Sequence, residues 1–364
     1  MHVAHVMGAL RPSGMEVMLA GSADVWAEHQ ISLSVIGQGN EHPYAAALIA
    51  AGIKVQLVGC AKSVRGFHQL VQALSASNAD VVHLHTEKAY LATALAARLG
   101  RPGAPAIRTV HSLFAPTGRW ALQRAIQSGL GDRLVEALVA PSEDVQQNEA
   151  RFGRDLQVIP NWVADRFWSA RNQRMRAIAA GTRGRPLAVL VGNCASVKRH
   201  ELALEGLLRS PGLDVVHLGE ESNADQSELR ILDQLAAQGR LLHRGTADPL
   251  PWLVRADLFL FPSAREGMGV ALAEALAVGV PSIVSASPGL NWARALPGVL
   301  SVDDRVNTWC EAISGHNRDS LLPALPPEFT AVAGVAKYGR LYQGLVSQRG
   351  KKLRTETAHA YDCC

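Results

Sequence analysis

Short apolar runs alternate along the first half of the chain with longer segments rich in alanine and leucine. Because a strand covered on both faces is apolar at every position, these continuous runs predict the strands of a parallel sheet. Their alternation with helical segments such as Tyr90–Leu99 predicts a doubly wound α/β domain. The seven predicted strands are Val3–Met7, Leu33–Ile36, Val55–Val58, Val81–Leu84, Ala106–Val110, Leu138–Ala140 and Val158–Ile159.

The same pattern begins again after an arginine-rich segment, Asp165–Arg185, which we interpret as a connection between domains rather than one long surface loop. We therefore expect two similar domains, at residues 1–165 and 166–328. A periodic apolar segment at 329–348 predicts a helix that returns to the first domain, and residues 349–364 are expected to form a disordered tail. The strands predicted for the second domain are Leu187–Val191, Val215–Leu218, Leu241–Leu242, Leu258–Phe261 and Ser282–Val284.

Length and composition support this division and narrow the class of protein. A chain of 364 residues exceeds the size at which one hydrophobic core usually stops growing, about 300 residues. The hydrophobic fraction of 48% and the charged fraction of 19% are typical of globular proteins. The net charge of +4 is small and the basic residues are dispersed, which argues against a nucleic-acid-binding protein. Five scattered cysteines predict neither a disulfide framework nor a zinc site, and we expect no metal and no cofactor.

The sequence carries few signals of cellular location. The N-terminal apolar run lacks the basic leader and the length of a signal peptide, and no segment has the apolar length of a membrane span. We therefore expect a cytoplasmic protein. A short basic run near the C-terminus is either solvated or makes weak contact with the anionic cytoplasmic face of a membrane. It consists of Arg349, Lys351, Lys352 and Arg354.

The most specific motif follows the predicted strand Leu258–Phe261 and reads SAREGMGVALAEALAVGVP, from Ser263 to Pro281. Glu266 lies in a glycine-bearing turn at a helix start and Glu274 about two helical turns later, so we expect both carboxylates near one face. The glycines of the turn leave backbone N–H groups open at a helix N-terminus, where anions bind. The alternative is that Glu266 interacts with the helix dipole and Glu274 is a solvated surface charge.

From strand through turn to helix end, this segment resembles the donor-binding motif of family 4 glycosyltransferases, with its pair of glutamates separated by seven residues. The resemblance extends along most of the chain and weakens after about residue 285. It includes the segments Asp80–His85, Ile107–His111 and Val158–Asn161. The resemblance implies the GT-B fold, in which two Rossmann-like domains face each other across a cleft. It also implies transfer of a sugar with retention of anomeric configuration and without a metal.

The resemblance assigns roles to individual residues. Lys198 corresponds to the lysine that neutralises the donor diphosphate, Glu266 to the glutamate beside the donor sugar, and Glu274 to the glutamate that binds the ribose hydroxyls. Such a lysine stabilises the negative charge that develops on the leaving diphosphate. The full set is His111, Lys198 and Glu266 as catalytic residues; Gly14, Asn193, Lys198, Glu266, Gly267, Met268, Gly269 and Glu274 as donor contacts; and Ser13, Gly14 and His85 on the acceptor side.

Several of these residues have a plain alternative. Lys198 is followed by Arg199 and His200 and is either a diphosphate ligand or a surface cation. His111 is either the family's histidine near the transferred sugar or a satisfied core histidine. Gly14 is either part of a loop that approaches the phosphates or a simple turn glycine. We expect His83 and His85 to face opposite sides of their strand, which gives at least one of them a structural role.

The chain departs from the family pattern at two places. The family usually has an arginine directly after the glycine of the first loop in the second domain, whereas this chain has Gly192 followed by Asn193. One of two diphosphate cations is therefore missing there, and Lys198, Arg199 and Arg265 are the candidates to compensate. The family often has a glycine-rich turn that contains Pro-Glu after the strand Ser282–Val284. This chain has Ser-Pro-Gly-Leu-Asn at residues 287–291 instead, so the family's donor contacts in that loop do not carry over directly.

From the resemblance we expect a glycosyltransferase that moves a sugar from a UDP- or GDP-sugar to a hydroxyl of a glycan or lipid-linked acceptor. Such enzymes act in the synthesis of cell-envelope or exported polysaccharides and glycolipids. Two alternatives are a nucleotide-sugar 2-epimerase of the same fold and a catalytically weak partner subunit that binds nucleotide sugars. The sequence lacks the G-x-G-x-x-G, G-x-x-x-x-G-K-[ST] and G-x-S-x-G motifs, which argues against nicotinamide or flavin enzymes, P-loop nucleotidases and serine hydrolases.

Overall fold

The computed structural model describes residues 1–87, 89–113, 118–180, 184–317 and 322–361, with side chains up to residue 350. The chain divides into two units. Unit 1 comprises Met1–Asn161 together with Ala331–Cys364, and unit 2 comprises Trp162–Thr330. The first change of unit falls after Asn161, where the sequence placed it after residue 165.

Unit 1 contains a parallel sheet to which the described residues contribute seven strands, in the order β3-β2-β1-β4-β5-β6-β7. The order reverses between β1 and β4, the position at which ligands bind in open sheets of this kind. The strands are β1 (His2–Met7), β2 (Ser32–Gln38), β3 (Lys54–Val58), β4 (Val81–Leu84), β5 (Ala106–Thr109), β6 (Ala137–Ala140) and β7 (Gln157–Val158). The helices are α1 (Gly14–Ala20), α2 (Ala23–Glu28), α3 (Ala45–Ala50), α4 (Val64–Ser77), α5 (Tyr90–Gly100), α6 (Gly118–Asp132) and α7 (Glu143–Ala150).

Unit 2 repeats this topology. Its described residues form a six-stranded parallel sheet in the order β10-β9-β8-β11-β12-β13, which reverses between β8 and β11. The strands are β8 (Leu187–Val191), β9 (Asp214–Leu218), β10 (Leu241–Arg244), β11 (Leu258–Phe261), β12 (Ser282–Ser285) and β13 (Val299–Val302). The helices are α8 (Asp165–Ala179), α9 (His200–Leu208), α10 (Gln226–Ala237), α11 (Leu250–Arg255), α12 (Val270–Val278) and α13 (Val306–Ser314).

The apolar runs of the sequence form strands because both faces of each sheet are covered. In β11, Leu258 and Leu260 pack into one buried cluster, while Phe259 and Phe261 pack into another. Successive side chains of a strand point to opposite faces, so a strand between two cores must be apolar at every position. All twelve predicted strands are confirmed. The strand β13 was not predicted, because its run Val-Leu-Ser-Val is short and interrupted by a polar residue.

The C-terminal helix α14 (Ala331–Tyr361) belongs to unit 1, which confirms its predicted return to the first domain. Tyr342 Oη lies 2.8 Å from His83 Nδ1, and Tyr338 Oη lies 3.0 Å from Thr109 Oγ1. The helix extends beyond residue 348, where the sequence predicted a disordered tail to begin. Residues 349–361 contain good helix formers and no proline, which is compatible with this extension. The last part of the predicted tail, 362–364, lies outside the described residues. Across the described chain, no helix combines the length and apolarity needed to cross a bilayer.

Candidate functional site

Two predicted site residues of unit 2 form an ion pair. Lys198 Nζ donates a hydrogen bond to Glu266 Oε1 over 2.6 Å. Lys198 lies in the loop after β8 and Glu266 in the loop after β11, and these neighbouring strands flank the reversal of strand order. The two side chains are 24% and 14% exposed, so water screens the pair less than it screens a surface salt bridge. The sequence had assigned these residues to different parts of a donor and did not predict their contact.

Backbone contacts between three loops hold this pair in place. The Ala264 N–H donates to the Val197 carbonyl over 2.8 Å, which joins the two loops that carry Lys198 and Glu266. The Glu266 N–H donates to the Pro288 carbonyl over 3.1 Å. Gly289 has a positive φ of 88°, and a Cβ atom there would lie 1.9 Å from the Glu266 carbonyl oxygen. The segment that departs from the family pattern at 287–291 therefore supports the turn of Glu266.

The helix after this turn begins later than the sequence indicated. Helix α12 starts at Val270 with Gly269 at its N-cap, so Glu266 lies in the preceding loop and Glu274 in the second turn of the helix. The expectation that the two glutamates are separated by two helical turns was therefore wrong. Gly267 precedes the helix in the same turn. Met268 is a core side chain, 2% exposed, and only its backbone is available for the predicted donor contact.

Glu274 is a buried carboxyl. It is 9% exposed, and within the described part of the chain no hydrogen bond to its side chain is found. Burial raises the pKa of Glu274 to about 8, while nearby Arg166 lowers the pKa and Asp248 raises it. The alternative that Glu274 is a solvated surface charge was therefore wrong. A buried carboxyl with free acceptor capacity is suited to bind hydroxyl groups of a ligand.

The residues that could replace the missing diphosphate cation differ in how far their side chains are already engaged in other contacts. Asn193 Oδ1 accepts a hydrogen bond from the Glu220 N–H over 2.9 Å, so this side chain ties two loops together. Arg199 caps α9 and donates to the Pro262 carbonyl, and it pairs with Asp304 at 2.5 Å. Arg265 is exposed, and no ion pair to it is found among the described residues. Arg265 is therefore the less constrained of the two arginines that were considered.

In unit 1, four histidines gather within or just after the carboxyl-terminal halves of the central strands β1, β4 and β5. His5 Nδ1 lies 2.8 Å from His85 Nε2, and His85 Nδ1 lies 2.9 Å from His111 Nε2, so the three rings form a hydrogen-bonded chain. His83 lies beside this chain, with its ring centroid 3.9 Å from that of His85. The expectation that His83 and His85 face opposite sides was wrong, because residues two apart in a strand share a face.

The histidine chain is electrically neutral at physiological pH. Burial lowers the pKa of His5 to about 3 and that of His111 to about 4, the latter with help from Arg108. Burial also places the pKa values of His83 and His85 well below their ordinary range. Each neutral imidazole has one donor and one acceptor nitrogen, so the chain His5–His85–His111 has a single direction of donation.

Glu87 and Arg108, which were not predicted from the sequence, hold His111 in place. The Glu87 carboxyl accepts a hydrogen bond from the His111 N–H over 3.3 Å and from Arg108 over 2.8 Å. Arg108 is buried in the sheet and stacks on the Tyr90 ring at 3.6 Å. The signal in the sequence was a charged residue within an otherwise apolar strand, followed by an acidic residue just after the neighbouring strand.

The predicted loop of Ser13 and Gly14 lies at the start of α1, after β1. Ser13 occupies the N-cap position, where its hydroxyl donates to the carboxyl of Glu16 and accepts no hydrogen bond from a backbone N–H of the helix. Glu16 is buried, which raises its pKa. Gly14 is the first residue of the helix and does not have a positive φ. The structure thus places these residues at the carboxyl end of β1, beside the strand reversal of unit 1.

Both units match known sequence families. Residues 12–167 match the family model described as Glycosyltransferase Family 4. Residues 185–316 match the model described as Glycosyl transferases group 1. The first match lies mainly in unit 1 and the second lies within unit 2.

Two curated relatives carry related names. The D-inositol 3-phosphate glycosyltransferase of Mycolicibacterium smegmatis is 25% identical over 259 residues, which is 65% of this chain and 59% of that protein. The lipopolysaccharide core biosynthesis glycosyltransferase LpsE of Rhizobium meliloti is 27% identical over 163 residues, 44% of this chain and 47% of that protein. The chain thus matches between about half and three fifths of the length of these relatives.

Solved structures show the same fold. A glycosyltransferase from Rickettsia africae superposes with a TM-score of 0.74 at 15% identity, covering 95% of this chain and 98% of that one. Anabaena Alr3699/HepE in complex with UDP-glucose gives a TM-score of 0.69 at 16% identity, covering 98% and 100%. The UDP-GlcNAc 2-epimerase of Methanocaldococcus jannaschii gives 0.60 at 15% identity, covering 94% and 99%. At these identities the similarity concerns the fold.

Proposed function

The chain belongs to the glycosyltransferases of family 4 and group 1, and from this premise we propose that it transfers a sugar from a nucleotide-sugar donor to a hydroxyl acceptor with retention of configuration. The observation that carries the proposal is the ion pair of Lys198 and Glu266 at the strand reversal of unit 2. The solved relative with bound UDP-glucose supports a nucleotide sugar as the donor.

The residues of unit 2 supply what such a donor requires. Lys198 neutralises charge on the diphosphate, and this interaction strengthens as the bond between the sugar and the phosphate oxygen breaks. The backbone at the start of α12 adds N–H groups that favour anions. Glu274 accepts hydrogen bonds from the ribose hydroxyls within a buried environment. Glu266, one hydrogen bond from Lys198, contacts the transferred sugar.

The chemical step needs no metal. The bond between the anomeric carbon and the diphosphate oxygen breaks, and the positive charge that develops on the sugar is shared between its ring oxygen and anomeric carbon. The leaving phosphate oxygen takes the proton of the acceptor hydroxyl as that hydroxyl attacks from the same face. The proposed acceptor is a glycan or a lipid-linked glycan of the cell envelope, in keeping with the name of the lipopolysaccharide core relative.

Two measurements test this proposal. The first is a thermal-shift screen of UDP- and GDP-sugars, because a ligand that binds the native state raises the melting temperature. The second follows release of the nucleoside diphosphate with and without D-inositol 3-phosphate or lipopolysaccharide core oligosaccharide as acceptor probes. We expect release to depend on an acceptor and to be lost in Lys198→Ala but retained in Arg176→Ala, which changes an exposed arginine of α8. Absence of binding by every nucleotide sugar contradicts the proposal.

The 2-epimerase is a second candidate, since two solved epimerase structures share the fold with TM-scores of 0.60 and 0.59. An epimerase converts UDP-GlcNAc into its C2 epimer without an acceptor. NMR of the reaction mixture that contains no acceptor detects this product. A third outcome, binding without turnover under any condition, identifies a nucleotide-sugar-binding partner subunit.

A further inference from the structure

Four buried side chains of unit 2 direct their ligand atoms at a common point. They are Cys194 Sγ, His200 Nδ1, His217 Nε2 and Glu228 Oε1, and all four atoms lie within 4.8 Å of one another. The four residues are between 0% and 3% exposed. From this geometry we propose that unit 2 contains a structural zinc site formed by these four residues.

The distances between the ligand atoms agree with tetrahedral coordination. Zinc binds thiolate, imidazole and carboxylate at about 2.0–2.3 Å, which separates tetrahedral ligand atoms by about 3.3–3.8 Å. Cys194 Sγ lies 3.7 Å from His217 Nε2, which lies 3.6 Å from Glu228 Oε1. The two histidine nitrogens are 3.1 Å apart, and His200 Nδ1 is 2.8 Å from Glu228 Oε1. A small expansion of these two shorter contacts admits the ion.

The ligand types select zinc over the other common cations. Magnesium and calcium prefer oxygen ligands, whereas this set contains a sulfur and two imidazoles and only one carboxylate. Mixed cysteine and histidine ligands in a closed four-coordinate site are typical of structural zinc. All four positions are taken by protein ligands, so the ion holds the fold and takes no part in the transfer step.

The surroundings of the cluster position its ligands in advance. The Cys194 N–H donates to the Glu220 carbonyl over 2.8 Å, which fixes the loop after β8 against the end of β9. Gly219 allows this close approach, because a Cβ atom there would lie 2.0 Å from the Gly192 carbonyl oxygen. The four ligands therefore come from separate elements that are already packed together: a loop, the first residue of α9, the strand β9 and the first turn of α10.

A carboxylate stands behind one of the histidine ligands. His217 Nε2 points into the cluster, while its buried Nδ1 makes no hydrogen bond within the described chain and lies 4.0 Å from Glu221 Oε1. Histidine ligands of zinc usually donate their other N–H to a carboxylate, a backbone carbonyl or a water molecule. Metal on Nε2 fixes the proton on Nδ1, and a small movement of Glu221 then supplies its acceptor.

No zinc site was predicted from the sequence, because its five cysteines are scattered and zinc sites are usually recognised by several cysteines at short spacing. Here one cysteine is combined with two histidines and a glutamate, spread from residue 194 to residue 228. The second histidine-rich group, His5, His83 and His85, is less suited to a metal. Both nitrogens of His83 contact hydroxyls, and His85 bonds to two other histidines.

Metal analysis of the full chain, purified without chelators, tests the proposal. We expect about one zinc per chain for the wild type, a loss of stoichiometric zinc in Cys194→Ser and His217→Asn, and an unchanged content in the matched controls Cys60→Ser and His85→Asn. Glu221→Gln is expected to weaken zinc binding by about 10- to 100-fold. The proposal is overturned if the wild type contains no zinc after supplementation. It is also overturned if zinc is lost in His85→Asn and retained in Cys194→Ser.

A measurement on the wild type covers the case in which the ligand variants do not fold. Cobalt exchanged for zinc reports its ligands by absorption: tetrahedral coordination gives intense visible bands, and a thiolate ligand adds a near-ultraviolet charge-transfer band. We expect both, together with a fall in melting temperature on chelation that zinc reverses and magnesium does not. Weak octahedral cobalt bands without charge transfer contradict the site. None of these readouts depends on sugar transfer, so they stand apart from the test of the proposed function.

Discussion

Lys198 Nζ and Glu266 Oε1 lie 2.6 Å apart, so the cation assigned to the donor diphosphate is held by the anion assigned to the donor sugar. The pair joins the loops after β8 and β11, which flank the strand reversal of unit 2. In the proposed donor complex, the diphosphate competes with Glu266 for the same ammonium group. The two residues therefore act as a unit. We expect substitutions of Lys198 and Glu266 to change nucleotide affinity in opposite directions and by different amounts.

Lys198→Ala is expected to lower kcat by about 100- to 1000-fold, because the charge on the leaving diphosphate is greatest in the transition state. Nucleotide-sugar affinity should fall much less. Steady-state kinetics with a saturating acceptor measures both effects. The exposed Arg176 on α8 provides the control, and Arg176→Ala should retain most activity. A kcat for Lys198→Ala within about threefold of the wild type shows that Lys198 is a surface cation.

Glu266→Gln is expected to separate binding from turnover. Removal of the carboxylate charge frees Lys198 for the diphosphate, so the affinity for UDP or GDP should rise or stay the same while kcat falls. Calorimetric titration of the nucleoside diphosphate, beside the kinetics, provides both values. If the variant loses nucleotide affinity to the same extent as Lys198→Ala, the ion pair does not oppose diphosphate binding and this account of it is wrong.

The buried Glu274 predicts a pH dependence of donor binding. Its pKa of about 8 in the free protein means that the carboxyl is largely protonated at pH 7. Two ribose hydroxyls favour the ionised form as an acceptor, so donor affinity should increase as the pH rises towards about 8 and then level off, by at most about tenfold per pH unit. Glu274→Gln should bind more weakly and without this slope. An equal slope in the variant assigns the titration to another group.

The histidine chain of unit 1 predicts sensitivity to acid. An unfolded histidine titrates near 6.5, whereas burial lowers the pKa of His5 to about 3 and that of His111 to about 4. Below pH 6.5 the unfolded chain therefore binds more protons than the folded one. The free energy of unfolding keeps this contribution above pH 6.5 and loses it as the pH falls towards 4, by up to about 1.4 kcal/mol per pH unit for each histidine.

Urea unfolding at several pH values between 7.5 and about 5 measures this slope. His85→Asn should make it shallower, whereas His68→Gln should leave it unchanged because His68 is exposed. Equal slopes in the wild type and in His85→Asn contradict the assignment.

The sequence predicted the fold well because its main signal is local. An apolar run such as Leu258–Phe261 is explained by burial on both faces, and no knowledge of its neighbours is needed to recognise it. The strand β13 escaped because a polar residue interrupts its short run. The end of α14 was also misplaced, because a charged composition alone does not separate an exposed helix from a tail.

The site was predicted less completely because its contacts join distant residues. The motif located Glu266 and Glu274, but the ion pair with Lys198 spans 68 positions in the sequence. The partner of His83 lies on α14, at Tyr342, 259 positions away. Burial of Glu274, which changes its pKa, depends on the packing of a whole helix. Such relationships follow from the tertiary fold, and a single sequence contains no local pattern for them.

We propose that the basic run at the end of α14 contacts an anionic membrane surface. Arg349 pairs with Glu136 and donates to the Pro102 carbonyl, so its positive charge is partly neutralised within unit 1. The side chains of Lys351, Lys352 and Arg354 lie outside the described residues. Each basic residue near an anionic surface contributes about 1 kcal/mol, so three give weak association that salt screens.

We therefore expect partial co-sedimentation with phosphatidylserine vesicles at low salt, release at high salt, and no retention by phosphatidylcholine vesicles. Replacement of Lys351, Lys352 and Arg354 together by alanine should abolish the association, whereas Arg349→Ala should leave most of it, because that arginine pairs with Glu136. Both variants keep the proposed donor site of unit 2, so their activity towards a soluble acceptor should match the wild type. If the triple variant binds vesicles as the wild type does, the basic run does not contact the membrane. The proposal that the acceptor is embedded in a membrane is then not supported by this basic run.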